Sequence, residues 1–155
     1  MSAAIHISVQ AEPFDVNDEL EALTGDGVGA VATFTGYVRG DSGLTAMTLE
    51  HYPGMAEAEI ARHVEEAERR WSLLGVTVIH RFGRLVPGDN IVLVATASAH
   101  RGDAFAAAEF LMDYLKTQAP FWKREEHGGE VSWVEAKGAD DAAAARWKRR
   151  ADAAE

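Results

Sequence analysis

The stretch Val76-Thr-Val-Ile-His-Arg-Phe-Gly-Arg-Leu-Val-Pro-Gly-Asp-Asn-Ile-Val-Leu-Val-Ala-Thr-Ala-Ser-Ala99 decides the fold class. Val76 to Phe82 reads as a strand, Pro87-Gly88-Asp89-Asn90 as a turn, and Ile91 to Ala99 as a strand apolar on both faces. A parallel crossover needs a dozen or more residues, and this connection is shorter, so the two strands return on each other.

The same grammar extends in both directions. Upstream, Ile5 to Val9 alternates apolar and polar residues as a short edge strand, and a helix capped by Asp15 runs to about Leu23. Val28 to Val38 is rich in β-branched and aromatic residues. After the turn cluster Gly40-Asp41-Ser42-Gly43, Leu44 to Tyr52 reads as its hairpin partner. From Met55 to Leu74, the residues Ile60, Val64, Ala67, Trp71 and Leu74 recur at helical spacing. Downstream, Gly102 to Gln118 is a second long helix, ended by Pro120. Phe121 to Glu126 and Glu130 to Ala136 form a last hairpin around Gly128-Gly129. The expected architecture is therefore α+β: one domain over residues 1–150, with a mixed or antiparallel sheet and two long helices. Residues 140–155 read as a charged, Ala-rich helix or tail.

Composition narrows the function. The chain has 155 residues and no cysteine, which removes disulfides, thiolate metal sites and a cysteine nucleophile. Its formal charge of −10 argues against a nucleic-acid binder. The longest apolar runs fall far short of a membrane span, and no secretion signal opens the sequence, so the expected setting is cytoplasmic. Walker-type phosphate loops and GxGxxG are absent, and the histidines show no metal-ligand spacing. His6, His51, His63, His80 and His127 read as structural or surface residues.

The basic residues cluster between His100 and Arg124, where His100, Arg101, Lys116, Lys123 and Arg124 fall. A positive locality on an acidic protein suits a small anion. On a helical wheel Phe105, Ala108, Leu111, Met112 and Leu115 form the apolar arc, and Lys116 falls about 20° beyond Phe105. An apolar wall lowers a lysine's pKa and readies it as a base, nucleophilic amine or anion clamp. Position alone favours the plainer reading, a snorkelling lysine at a helix C-terminus whose charge suits the dipole. In Pro120-Phe121-Trp122-Lys123-Arg124-Glu125, strand alternation puts Phe121, Lys123 and Glu125 on one face and Trp122 and Arg124 on the other. His100-Arg101 opens the second helix, where free backbone N–H groups with an arginine fork and an imidazole suit an anion; the alternative reading has Asp103 as a simple cap and Arg101 as its salt-bridge partner. Arg39 follows Thr35-Gly36-Tyr37-Val38 at a strand end, where a glycine permits close ligand approach.

These segments resemble the molybdopterin synthase catalytic subunit family. The resemblance is carried by Gly29-Ala-Val-Ala-Thr-Phe-Thr-Gly-Tyr-Val-Arg39, Leu49-Glu-His-Tyr-Pro-Gly-Met55, Val76-Thr-Val-Ile-His-Arg-Phe-Gly83, Ser98-Ala-His-Arg101, Met112-Asp-Tyr-Leu-Lys-Thr-Gln-Ala-Pro-Phe-Trp-Lys-Arg-Glu125 and Trp133-Val-Glu-Ala136. It implies an α/β hammerhead fold and a homodimer that becomes a heterotetramer with a small ubiquitin-like sulfur-carrier subunit. The implied reaction moves sulfur from the carrier's C-terminal thiocarboxylate to cyclic pyranopterin monophosphate (precursor Z). It makes the dithiolene of molybdopterin in molybdenum cofactor biosynthesis. No cofactor is implied, since the sulfur arrives on the carrier, in keeping with a chain that lacks cysteine. By position the resemblance makes Lys116 and Lys123 catalytic, and Arg39, His100, Arg101, Arg124 and Glu125 substrate-binding. Tyr37 departs from it, standing where relatives often carry a basic residue.

Overall fold

The computed structural model describes residues 3–134, 142–145 and 147. Its centre is the strand read as apolar on both faces, here β6 (Asn90–Ser98), which is buried from Val92 to Ser98. β6 pairs antiparallel with β4 (Gly75–Arg81) on one side and with β2 (Ala30–Tyr37) on the other. β1 (Ala4–Gln10) adds parallel to β4, giving the order β1-β4-β6-β2 with β1 at an edge as expected.

Alternation along β6 supplies two cores. Val92 and Val94 face α2 (Met55–Arg70) and α3 (Arg101–Thr117), among Ile60, Val64, Val76, Val78 and Leu111. Ala95 and Ala97 face the other way, beneath Leu20 and Leu23 of α1 (Val16–Leu23). Asp15 caps α1 by accepting from the Asp18 N–H at 3.0 Å, which offsets one of the four unpaired donors of a helix start.

The hairpin expected from Val28 to Tyr52 does not form. β2 bonds β6, whereas β3 (Ala46–His51) joins a second antiparallel sheet between β5 (Gly83–Leu85) and β7 (Phe121–His127), with β8 (Glu130–Val134) beyond β7. The cause lies just past β2. The Val38 N–H donates to the Asp89 carbonyl and the Gly88 N–H to that of Val38, pinning the chain to the β5–β6 turn. A 3-10 turn at Asp41–Gly43, with Ser42 at φ 58°, then sends it across to the second sheet. The short strand β5, opened by Gly83 at φ 94°, was not legible in the sequence. The β7–β8 hairpin forms around Gly128-Gly129 as read.

Two helix readings are corrected. α2 stops at Arg70, not Leu74: Trp71 turns extended and the Ser72 N–H donates to the Asp103 carboxylate at 3.0 Å. On α3 the buried arc is set by Ala104, Ala107, Ala108, Leu111 and Met112 together with Phe110 and Tyr114. Phe105 is 64% exposed, so the wheel's arc is rotated toward the alanines. Of residues 140–155, the structure describes 142–145 and 147, which are helical. Trp147 is buried against Trp71 and Phe110, and its Nε1–H donates to Asp113 Oδ2 at 2.6 Å.

Arg81 closes the end of the first sheet. Its Nε–H donates to the Ala11 carbonyl, and its Nη1 to both the backbone and side-chain oxygens of Asn90, whose own amide donates to the Phe14 carbonyl. One buried guanidinium thus ties the β1–α1 loop to β4 and β6. Arg81→Met strands these carbonyls without their donor, at about 1–3 kcal/mol for each buried group left unpaired. A urea unfolding curve is expected to show a clear loss of stability for Arg81→Met, much larger than for the exposed control Arg69→Met.

Candidate functional site

Antiparallel pairing gives the first sheet two distinct ends. Tyr37 lies beside Asn90 at one, and Ala30 beside Ser98 at the other. Arg39 emerges just past the Tyr37 end, with a largely exposed side chain 3.9 Å from Asp41. α3 begins after β6 and packs back over β6 and β2, so its last turn, which carries Lys116, returns to this same end. Here β4 finishes at His80 and Arg81, with His80 opposite Val92.

Lys123 reaches this end from the second sheet. It is half-buried in β7, opposite Leu49 on β3 and Val134 on β8. The alternation read from the sequence holds: Phe121 and Lys123 share a face, and Phe121 lies stacked on the His80 ring with centroids 3.8 Å apart. Lys116 is exposed rather than tucked at the border of the apolar arc, because Phe105 beside it on the wheel is exposed too. Its charge nevertheless reaches His80. Burial first, and then the charge of Lys116 with a contribution from His51, push the His80 pKa down to about 4 against the Arg81 carbonyl bond, so the imidazole is neutral at physiological pH.

Arg124 and Glu125 part company, as adjacent strand residues must. Arg124 lies on the outer face, its guanidinium carbon 5.7 Å from the Trp133 ring centroid. Glu125 lies on the Lys123 face and bonds His127.

His100 and Arg101 sit elsewhere. They are the N-cap and first residue of α3, both exposed, with no side-chain cap from His100. The expected Asp103–Arg101 pair does not occur, since Asp103 accepts from Ser72. This end of the sheet is tight: a Cβ at Gly29 would lie 2.2 Å from the Ala99 carbonyl oxygen, so only glycine lets β2 begin here. From Arg101 to Lys116 the helix rises 1.5 Å per residue, roughly 22 Å in all. One chain therefore gathers Lys116, Lys123 and Arg39 at one end and holds His100 and Arg101 at the other. Among the described residues no group of three or more His, Asp or Glu is placed to hold a metal ion.

The sequence reading passed over His80, classed there as structural or surface. Its signal was period two: it shares a strand face with Val76 and Val78, which point at the helices, so it had to point at the end of α3.

Residues 9–118 match the family model described as MoaE protein. The molybdopterin synthase catalytic subunit of Rhizobium meliloti (strain 1021) is 56% identical over 155 residues, covering 97% of this chain and 100% of that one. Among solved structures, the molybdopterin biosynthesis MoaE protein from Burkholderia ambifaria MC40-6 superposes with a TM-score of 0.81 at 51% identity. It covers 93% of this chain and 98% of its own. A molybdopterin synthase structure from Staphylococcus aureus gives a TM-score of 0.76 at 31% identity, covering 82% and 95%.

One titratable contact at this face has a direct solution signature. His127 Nδ1 lies 3.1 Å from the Ser42 carbonyl oxygen and Nε2 3.1 Å from Glu125 Oε1. Both acceptors want a donor, so the doubly protonated ring fits best, and its pKa is raised, by Glu125 first and the Ser42 carbonyl second. A raised folded pKa gives stability that is full below the unfolded value near 6.5 and is lost as pH rises through the folded value. NMR titration is expected to place the His127 midpoint above 6.5. Urea midpoints of the wild type should fall between pH 6 and 8 relative to His127→Gln.

Proposed function

The chain belongs to the MoaE protein family, and from that premise we propose that it is the catalytic subunit of a molybdopterin synthase. In this reading it is a sulfurtransferase that acts with a small ubiquitin-like carrier subunit. It moves sulfur from the carrier's C-terminal thiocarboxylate to cyclic pyranopterin monophosphate, in molybdenum cofactor biosynthesis. The observation that carries this reading is that Lys123 shares a strand face with Phe121, whose ring stacks on His80, while the charge of Lys116 on the last turn of α3 acts on that same His80.

The chemistry asks for such a pair. A thiocarboxylate is anionic and so is the substrate's phosphate, so the two reactants repel until cations neutralise them. Arg39, with its planar fork of donors, suits the phosphate. Lys123, half-buried, serves as the proton-transfer group or transient amine beside the sulfur, and Lys116 as its partner cation. In each transfer a C–S bond to the pterin side chain forms as a C–O bond there breaks, and water then cleaves the carrier's C–S bond, supplying the oxygen with which the carrier end leaves as a carboxylate. The sulfur comes from the carrier alone, which a chain without cysteine requires. Of the two further residues expected to bind substrate, Glu125 shares the Lys123 face with its carboxylate held by His127, whereas Arg124 turns to the opposite face toward Trp133. No described helix is long and apolar enough to cross a membrane, and a cytoplasmic setting is part of the proposal.

His100 and Arg101 belong to the reading in a specific way. They lie a helix length from the lysines of their own chain, so in a homodimer they complete the site of the second copy.

Two expected outcomes test this. With thiocarboxylated carrier and cyclic pyranopterin monophosphate, dithiolene product appears by mass spectrometry, and Lys123→Ala or Lys116→Ala lowers turnover by about a hundredfold or more. Intact turnover in Lys123→Ala removes that residue's role, and no product from the wild type leaves only a ligand-binding domain. In the second test, Lys123→Ala and His100→Ala chains are unfolded and refolded together. The mixed dimer has one site with both residues native, so activity returns to about a quarter of wild type; a site built within one chain recovers nothing.

A further inference from the structure

Four rings close the seam between the two sheets. His80 of β4 lies on Phe121 of β7 with centroids 3.8 Å apart and planes 14° from parallel. His51 of β3 lies 4.5 Å from Phe82 and 5.9 Å from Phe121. His80 Nδ1 is 2.9 Å from the Arg81 carbonyl oxygen. A carbonyl only accepts, so Nδ1 carries the proton and Nε2 keeps its lone pair. The groups acting on the ring come from three elements: Lys116 on α3, His51 on β3 and the Arg81 carbonyl on its own chain. A buried ring of fixed tautomer therefore stands between the helix end that bears Lys116 and the strand that bears Lys123.

We propose that His80 is a positioning residue for the lysine pair: its stack on Phe121 sets the start of β7 and with it Lys123, while its unprotonated Nε2 offers Lys116 a neutral acceptor. This rests on the reading of the two lysines as the sulfur-transfer groups. The neutral ring matters because a second cation here would compete with Lys116 for the same anion. Burial and the Lys116 charge both keep the ring uncharged, so the lysine stabilises the very form of His80 that can accept from it. A phenylalanine would supply the stack without the acceptor. A glutamine would supply an acceptor without the stack. The two functions can thus be separated by substitution.

The first test uses the full chain, isotope-labelled, with no substrate. In a long-range proton–nitrogen spectrum His80 is expected to show a protonated Nδ1 and a bare Nε2 at neutral pH. Lys116→Met, a change at an exposed position, should raise the pH at which the ring titrates. An unchanged His80 titration in Lys116→Met overturns the proposal whatever the activity. The second test is turnover with thiocarboxylated carrier. His80→Phe, which keeps the stack and loses the acceptor, should lower kcat on the order of tenfold at unchanged KM, and His80→Gln, which loses the stack, should be lowered as well. A ring needed only for packing leaves His80→Phe at wild-type turnover, and that outcome overturns the proposal. If the wild type itself makes no dithiolene product, the functional reading fails instead, and the spectroscopic test still decides the link between His80 and Lys116.

Discussion

Burial of β6 on both faces is the constraint from which the rest of the molecule follows. A strand with no exposed face must be paired on both edges and covered above and below, because each unpaired buried backbone group costs about 1–3 kcal/mol. β4 and β2 meet the first demand, and α1 with α2 and α3 the second. Since β6 runs straight into α3, the covering helix must double back along the sheet. Its first residue and its last turn are thereby assigned to opposite ends of the molecule. That single geometric fact separates His100 and Arg101 from Lys116 and brings Lys116 to the end where β4 finishes.

The seam between the sheets shows why a lysine on one element can answer to a strand on another. Ile91 packs against both the large core and the smaller cluster of Val38, Met47, Leu49 and Leu85, so the two sheets share an apolar contact. His80 and Phe121 extend that contact to the surface, and Arg81, next along β4, turns to the other side to hold the β1–α1 loop. Adjacent residues of one strand thus do unlike things: one carries a neutral ring stacked on Phe121, the other a buried guanidinium whose Nε and Nη1 donate to backbone and amide oxygens.

Much of this was legible because it is periodic. The two-faced apolar run of β6, the Asp15 cap, the Gly128-Gly129 turn and the alternation that aligns Phe121 with Lys123 all follow from local rules, and all hold. What failed was decided at long range. Leu44 to Tyr52 has the composition of a strand but not the address of its partner, which is set by Val38 bonding the β5–β6 turn. The wheel of α3 went astray by weighting Phe105 over small residues: a sheet at close approach prefers Ala104, Ala107 and Ala108 on the contact face and leaves Phe105 outside. The candidate site residues were named through the resemblance rather than through local periodicity. Their grouping into two ends needed the course of the chain, and His80 needed both a strand face and the helix end beyond it.

The acidic composition does not oppose a site for anions, and length scales say why. At physiological ionic strength the Debye length is about 8 Å, so a small anion at the lysine end scarcely feels carboxylates on the far side of the molecule. What it feels are the charges within that radius. Carboxylates of β7 beside Lys123 are engaged: Glu126 with Arg84, and Glu125 with His127. Glu125 is the instructive case. It shares a strand face with Lys123, two residues away, where an unengaged carboxylate would draw the ammonium to itself. Held by His127, whose pKa it raises, that carboxylate is already answered and does not compete for Lys123.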